Sequence, residues 1–287
     1  MREISVLLSV NNAEEYIVES IESVLKQSFS DFELIVVNSG SMEAIRTTIS
    51  SFADKRIRLI DDFHSGRYEL LNFGIKASTG KYLLFMDIRS IMHVDLLKIY
   101  YSMMEENPEI TIYGCWETVF GKRTPKRIIE KTVAGWVDMP FIQFLLDDSL
   151  VSSAYMIRKS FIDENNLLFR NCDHAEDYQF WVDTALLDGG FYLDSQPLVY
   201  KRFVDTEVSG VRRLEKLQSI SQIKSTIIPF LCNKHHETYP ALQKLYNACM
   251  ELSSQKIISE EDLYLLFNSL FMVNKDIFNS HYNNQTI

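Results

Sequence analysis

Paired cysteines are missing from this chain. Cys115, Cys172, Cys232 and Cys249 are the four present in 287 residues, widely spaced and without a CxxC pair. Neither a zinc site nor a disulfide framework is signalled, and a reducing compartment is the simpler expectation. No run approaches ~20 apolar residues, so no membrane-spanning helix is predicted. The apolar stretch Ile4 to Val10 is too short for a signal-peptide core and reads as a first strand. Excess positive charge is absent too. A net charge of -10 argues against a nucleic-acid partner. No Gly-rich phosphate loop stands near the N-terminus, which weighs against a nucleotidyltransferase. What is present is a hydrophobic fraction of 46%, enough for a substantial core. The length suits one large domain, or one domain with an appendage.

Apolar runs and helical periods alternate along the first third. Ile4 to Val10 reads as a strand, and Asn12 with Glu15 reads as a capping box for a helix over 13 to 27. Phe32 to Val37 and Ile57 to Ile60 read as further strands, with helices between and after them. The run Tyr82 to Met86 ends abruptly in Asp87. The order β-α-β-α-β-α-β predicts an α/β fold with a mainly parallel, doubly wound, Rossmann-like sheet. Ligands bind beyond the carboxyl ends of such strands, so Asp87 falls where a ligand is expected. After Pro108 the pattern changes. Ile110 to Phe120 and Val151 to Ile157 read as strands, Lys122 to Lys131 as a basic loop, and Asp173 to Asp177 as the lead into a helix. Phe191 to Leu193 and Leu198 to Arg202 read as two strands, and from Val211 the chain reads as helical. The expected division is 1–209 and a helical C-terminal region, 210–287.

Four segments, in order, resemble the family 2 glycosyltransferases of GT-A fold. They are ISVLLSVNNAEEYIVESIESVLKQSFSDFELIVVNSGS, the stretch from Gly66 through Asn72-Phe73-Gly74 to Gly80-Lys81-Tyr82, FMDIRSIMHVD, and Ala175-Glu176-Asp177 heading a helix with Trp181. The resemblance spans roughly Ile4 to Ser209. It implies a nucleotide-sugar-dependent transferase, with UDP the expected nucleotide. It assigns Ser9, Val10, Asn11 and Glu14 to the nucleoside, Asn38 and Ser39 to the base, and Asp87 to a metal on the diphosphate. It makes Asp177, beside Glu176, the candidate base of an inverting displacement. His174 and Trp181 fall on the acceptor side, although Trp181 at helical spacing reads equally as core.

The chain departs from that family where charge matters most. Aspartates are usual where Asn38 and Ser39 stand, and an aromatic residue where Asn11 stands. The metal motif, Asp-x-Asp-Asp in the family, reads Asp87-Ile88-Arg89-Ser90 here. A late histidine is replaced by Phe203. Hard divalent cations such as Mn²⁺ or Mg²⁺ want several carboxylate oxygens, and an adjacent arginine repels them, so Asp87 alone is a weak metal ligand. A guanidinium instead binds phosphate oxygens directly, which makes Arg89, joined by Arg67, the expected partner of the diphosphate. The competing reading of Asp87 and Arg89 is a surface ion pair on a dead site, and of Glu176 and Asp177 simple complementation of a helix dipole. Two function classes follow. One is a cytoplasmic transferase acting on a saccharide or lipid-linked acceptor. The other is a degenerate transferase-like binding or partner module. The basic stretch leaves open a peripheral contact with membrane phosphates, and Leu263 to Val273 a homo-oligomer contact.

Overall fold

The computed structural model describes residues 2–10, 14–38, 43–61, 66–121, 125–129, 133–137, 140–146, 153–172, 174–203 and 210–234, with scattered positions beyond. Two compact units emerge. One comprises Met1–Val137, Val151–Asn171 and Leu187–Glu207, the other Asp138–Leu150, Cys172–Leu186 and Val208–Ile287.

The first unit is built as the alternation predicts. Its strands β1 (Ile4–Val10), β2 (Phe32–Asn38), β3 (Ile57–Asp61) and β4 (Tyr82–Asp87) alternate with α1 (Glu14–Leu25), α2 (Glu43–Ser51) and α3 (Arg67–Ala77). They pair in parallel in the order β3-β2-β1-β4. β1 and β2 are buried almost throughout, which is why both read as continuous apolar runs instead of alternating ones. Then come β5 (Ser90–Met92), α4 (Leu96–Glu106), β6 (Ile110–Phe120), β7 (Arg127–Ile129) and β8 (Gly135–Trp136). The sheet continues past β4 as β9-β6-β10-β5, where β9 is Ala154–Arg158 and β10 is Gly190–Arg202. β9 is antiparallel to both its neighbours, whereas β6 and β10 are parallel. The short helix α6 (Lys159–Asn165) follows β9.

Two glycines let the layers close. A Cβ on Gly74 of α3 would lie 2.5 Å from Leu7 Cδ2, so the helix rests directly on β1. A Cβ on Gly80 would lie 2.5 Å from the Ser5 backbone nitrogen. Arg158 closes the far side. It donates to the carbonyls of Met104, Asn107 (2.8 Å) and Ile110 (2.6 Å), tying the end of α4 to the start of β6.

Two expectations are corrected here. Part of the basic loop is the edge strand β7, antiparallel to β6. The two late strands are one, β10, whose register shifts between Asp194 and Val199 around Pro197.

At the N-terminal edge of the sheet Glu33 is 6% exposed. Its carboxylate accepts from Ser5 Oγ (2.7 Å), the Thr79 nitrogen and hydroxyl (both 2.8 Å) and Arg58 Nη1 (2.8 Å). Burial pushes its pKa up, but these four donors outweigh that and hold it below the usual carboxylate range. A depressed folded pKa contributes stability above the ordinary value and loses it as pH falls through the folded one. Glu33→Gln is therefore expected to cost about 2–3 kcal/mol near neutral pH. The deficit should shrink at an acid pH below the depressed folded pKa, where the wild-type carboxylate is itself protonated. Urea unfolding at both pH values checks this, and an equal deficit at both would refute it.

In the second unit α5 (Pro140–Leu146), α7 (Glu176–Leu186) and α8 (Gly210–Lys234) pack on one another. Tyr178 Oη donates to the Phe144 carbonyl at 2.7 Å.

Candidate active site

The parallel strands β1, β2 and β4 end level with one another. Ser9 pairs with both Val37 and Asp87, and Val10 with Asn38. This carboxyl edge therefore brings Ser9, Asn38 and Asp87 together, as the topology predicts. Asn38 is fully buried. Asn11 and Ser39, expected beside them, lie outside the described residues, as does the Glu14 side chain.

Asp87 closes the turn that follows β4. Its Oδ1 accepts from the Arg89 backbone nitrogen at 2.8 Å, an Asx-type turn. The Arg89 guanidinium then grips the same carboxylate twice, Nε to Oδ1 at 3.0 Å and Nη2 to Oδ2 at 2.9 Å. Burial pushes the Asp87 pKa up. The bonds and charge of Arg89, with Lys201 beyond, prevail and hold it below the carboxylate range. Arg89 is raised by the same pair, against burial and the like charge of Arg67 at the head of α3. Among the described residues Nη1 of Arg89 has no partner.

More cations converge on this edge. The Arg202 nitrogen donates to the Arg89 carbonyl at 2.9 Å. The Arg202 guanidinium lies 4.9 Å from the Tyr16 ring centre and 4.6 Å from that of Phe120, and is paired with Glu19. Lys201 pairs in register with Ser90. Arg89 and Lys201 thus both act on the Asp87 carboxylate, and both of its oxygens are taken by Arg89.

That donor set does not suit a divalent metal ion. Hard cations need several free oxygens, and no group of three His, Cys, Asp or Glu among the described residues could hold one. The set does suit a diphosphate, which wants guanidinium and ammonium donors.

Behind the turn runs a chain of hydrogen bonds that sequence reasoning missed. Glu117 of β6 is 4% exposed. Its Oε1 accepts from the Ser153 nitrogen at 2.6 Å and the Ser153 hydroxyl at 2.5 Å. The Ser153 hydroxyl lies 2.8 Å from that of Ser90, and the Ser153 carbonyl accepts from the Asp87 nitrogen at 3.1 Å. An acid inside the otherwise apolar run of β6 was the available signal. Ser90, in the metal-motif position, is fully buried, and the Ser153 hydroxyl links it to the Glu117 carboxylate.

In the second unit Glu176 and Asp177 occupy the first turn of α7. Glu176 is buried and Asp177 partly exposed. His174 is exposed, with a left-handed backbone (φ 68°). Trp181 is 7% exposed, so it packs within the protein and offers no open face to a sugar.

The profile of glycosyl transferase family 2 matches residues 5–172. An uncharacterized glycosyltransferase of Haemophilus influenzae is 27% identical over 243 residues, 80% of this chain and 75% of that one. A UDP-Glc:α-D-GlcNAc-diphosphoundecaprenol β-1,3-glucosyltransferase of Escherichia coli is 27% identical over 59% of this chain and 73% of its own. Against two Rickettsia glycosyltransferases the chain spans 30% and 26% of their length. Among solved structures, S. aureus TarS in complex with UDP superposes with a TM-score of 0.62 at 17% identity, over 83% of this chain and 72% of TarS.

Proposed function

The chain belongs to glycosyl transferase family 2, and from that premise we propose that it moves a hexosyl group from a UDP-sugar to a saccharide or lipid-linked acceptor without a bound metal ion. One observation carries the reading: the bidentate Asp87–Arg89 pair stands, with Arg67, Lys201 and Arg202, where the family's carboxylates would bind a cation. Asp87 fixes the guanidinium through Nε and Nη2, which leaves Nη1 as the nitrogen to engage the diphosphate. In the transfer, the acceptor oxygen bonds to the anomeric carbon as the bond from that carbon to the diphosphate breaks. The proton of the acceptor hydroxyl passes to Asp177, and the departing UDP keeps the electron pair. Preorganised cations lower the cost of the charge that gathers on the leaving group. The single displacement inverts the anomeric centre. UDP is favoured over other nucleotides by the donor named for the E. coli relative and the ligand of TarS.

Titration calorimetry with UDP tests this. Binding is expected to be the same with Mn²⁺ and with EDTA. Arg89→Ala should weaken it roughly ten- to a hundredfold, the worth of one charge-assisted contact. Binding that requires Mn²⁺ would overturn the metal-free reading. No binding of UDP or other nucleotides under either condition would favour a non-catalytic module.

A further inference from the structure

Three strands meet at Ser153, the residue before β9. Its carbonyl accepts from the nitrogen of Asp87, the last residue of β4, at 3.1 Å. Its hydroxyl lies 2.8 Å from that of Ser90, the first residue of β5. Its nitrogen and hydroxyl donate to Glu117 Oε1 of β6 at 2.6 Å and 2.5 Å. Asp87 and Ser90 are the two ends of the turn that carries Arg89. Both ends are therefore tied to one serine.

The sheet explains why a carboxylate stands behind that serine. β9 keeps register with β4 as far as Ala154, opposite Met86. Its ladder with β6 holds only Ile112 with Ile157 and Tyr113 with Met156. The Ser153 amide lies beyond that ladder and needs an acceptor from elsewhere. Glu117 supplies it from a side chain, and bonds to a carboxylate are short and strong. Because the Ser153 proton goes to Glu117, the Ser153 oxygen accepts from Ser90. The bonds thus run one way, from the turn to a buried carboxylate. On its other side the turn is held by backbone alone, where the Arg202 nitrogen donates to the Arg89 carbonyl at 2.9 Å. Side-chain control of the turn therefore rests with Ser153 and Glu117.

Exposure divides the labour. The Arg89 side chain is open to a ligand, whereas Ser90 and Glu117 are buried behind it. A buried group acts on a ligand through the turn, and a shift of ~1 Å in a binding group is enough to matter.

We propose that Ser153 and Glu117 are positioning residues of the donor site, holding the Asp87–Ser90 turn in the form that presents Arg89 to a nucleoside diphosphate. The proposal rests on the transferase reading above and adds what keeps Arg89 in place. The competing role is a cap on the end of the β6–β9 ladder, which would affect stability with no link to Arg89.

A double-mutant cycle separates the two. UDP and uridine are titrated against the wild type, Ser153→Ala, Arg89→Ala and the double variant. Ser153→Ala removes one hydroxyl and keeps the backbone bonds to Asp87 and Glu117. It should weaken UDP roughly three- to tenfold, the worth of one hydrogen bond. Uridine, which lacks the diphosphate, should bind within about twofold of wild type, and so should UDP when Ser153→Ala is added to Arg89→Ala, because effects that act through one group do not add. Ser153→Thr, which keeps the hydroxyl, should restore wild-type UDP binding. Hydrogen exchange gives a readout without ligand: the Asp87 and Arg89 amides should exchange at least about fivefold faster in Ser153→Ala, with those of β2 unchanged. An equal loss for UDP and uridine would overturn the proposal, as would a full loss on top of Arg89→Ala or no loss of UDP at all. If the wild type binds no UDP, the transferase reading falls and exchange decides alone. Faster exchange at Asp87 and Arg89 then upholds the relay as the support of the turn, and unchanged exchange sinks it.

Discussion

Asp177→Asn is expected to lower kcat by roughly 10²–10⁴-fold, the usual worth of a positioned general base, with UDP affinity unchanged. Asp177 stands in the first turn of α7 and keeps part of its surface exposed, whereas Glu176 beside it is buried. An acid at a helix N-terminus is also stabilising in its own right, by about 0.3–1 kcal/mol. The asparagine variant separates the two roles. It preserves shape, and asparagine is tolerated at helix starts, so thermal stability should change little. It removes only the capacity to accept a proton as a carboxylate. A variant that keeps kcat within about threefold would leave Asp177 as a helix-terminal acid and nothing more. Glu176→Gln makes a useful contrast, because a buried position should register in stability before it registers in rate.

The carboxyl edge of the sheet was legible for a simple reason. Buried parallel strands leave long apolar runs, and the residue that ends such a run marks the carboxyl edge of the sheet. Asp87 was found in that way, whereas Ser9 and Asn38 came from the family resemblance and the strand register sets them beside it. What Asp87 does there was harder to read. Sequence reading offered a weak metal ligand, an ion pair on a dead site, or a carboxylate beside a diphosphate-binding arginine, and the turn geometry shows Asp87 holding the Arg89 guanidinium through both oxygens. β7 was read as loop because its charges hide the alternation of a three-residue edge strand. β10 was split in two because Ser195-Gln196-Pro197 looks like a turn, although a register shift carries the strand through it. Glu117 and Ser153 were missed because their meeting depends on β6 and β9 lying side by side, which no local pattern encodes.

Restoring the family's carboxylates should succeed at one position and fail at the next. Arg89→Asp changes a side chain that is 41% exposed, at the rim of the turn. It leaves two carboxylates facing outward with no guanidinium between them, so UDP binding should become dependent on Mn²⁺. Adding Ser90→Asp should not tighten it further. Ser90 is fully buried, and its hydroxyl lies 2.8 Å from that of Ser153, whose own proton is directed at Glu117. Ser90 must therefore donate, and a carboxylate there can only accept. It would also bring a second buried negative charge close to Glu117. An uncompensated buried charge costs about 3–5 kcal/mol. In a unit of this size that lowers Tm by about 10 °C relative to Arg89→Asp alone. Thermal unfolding of the two variants and UDP titration with Mn²⁺ check both halves. A double variant as stable as the single one would show that Glu117 does not constrain this position. The two departures from the metal motif thus differ in kind: residue 89 trades one charge for another at the rim, whereas residue 90 answers to the packing behind it.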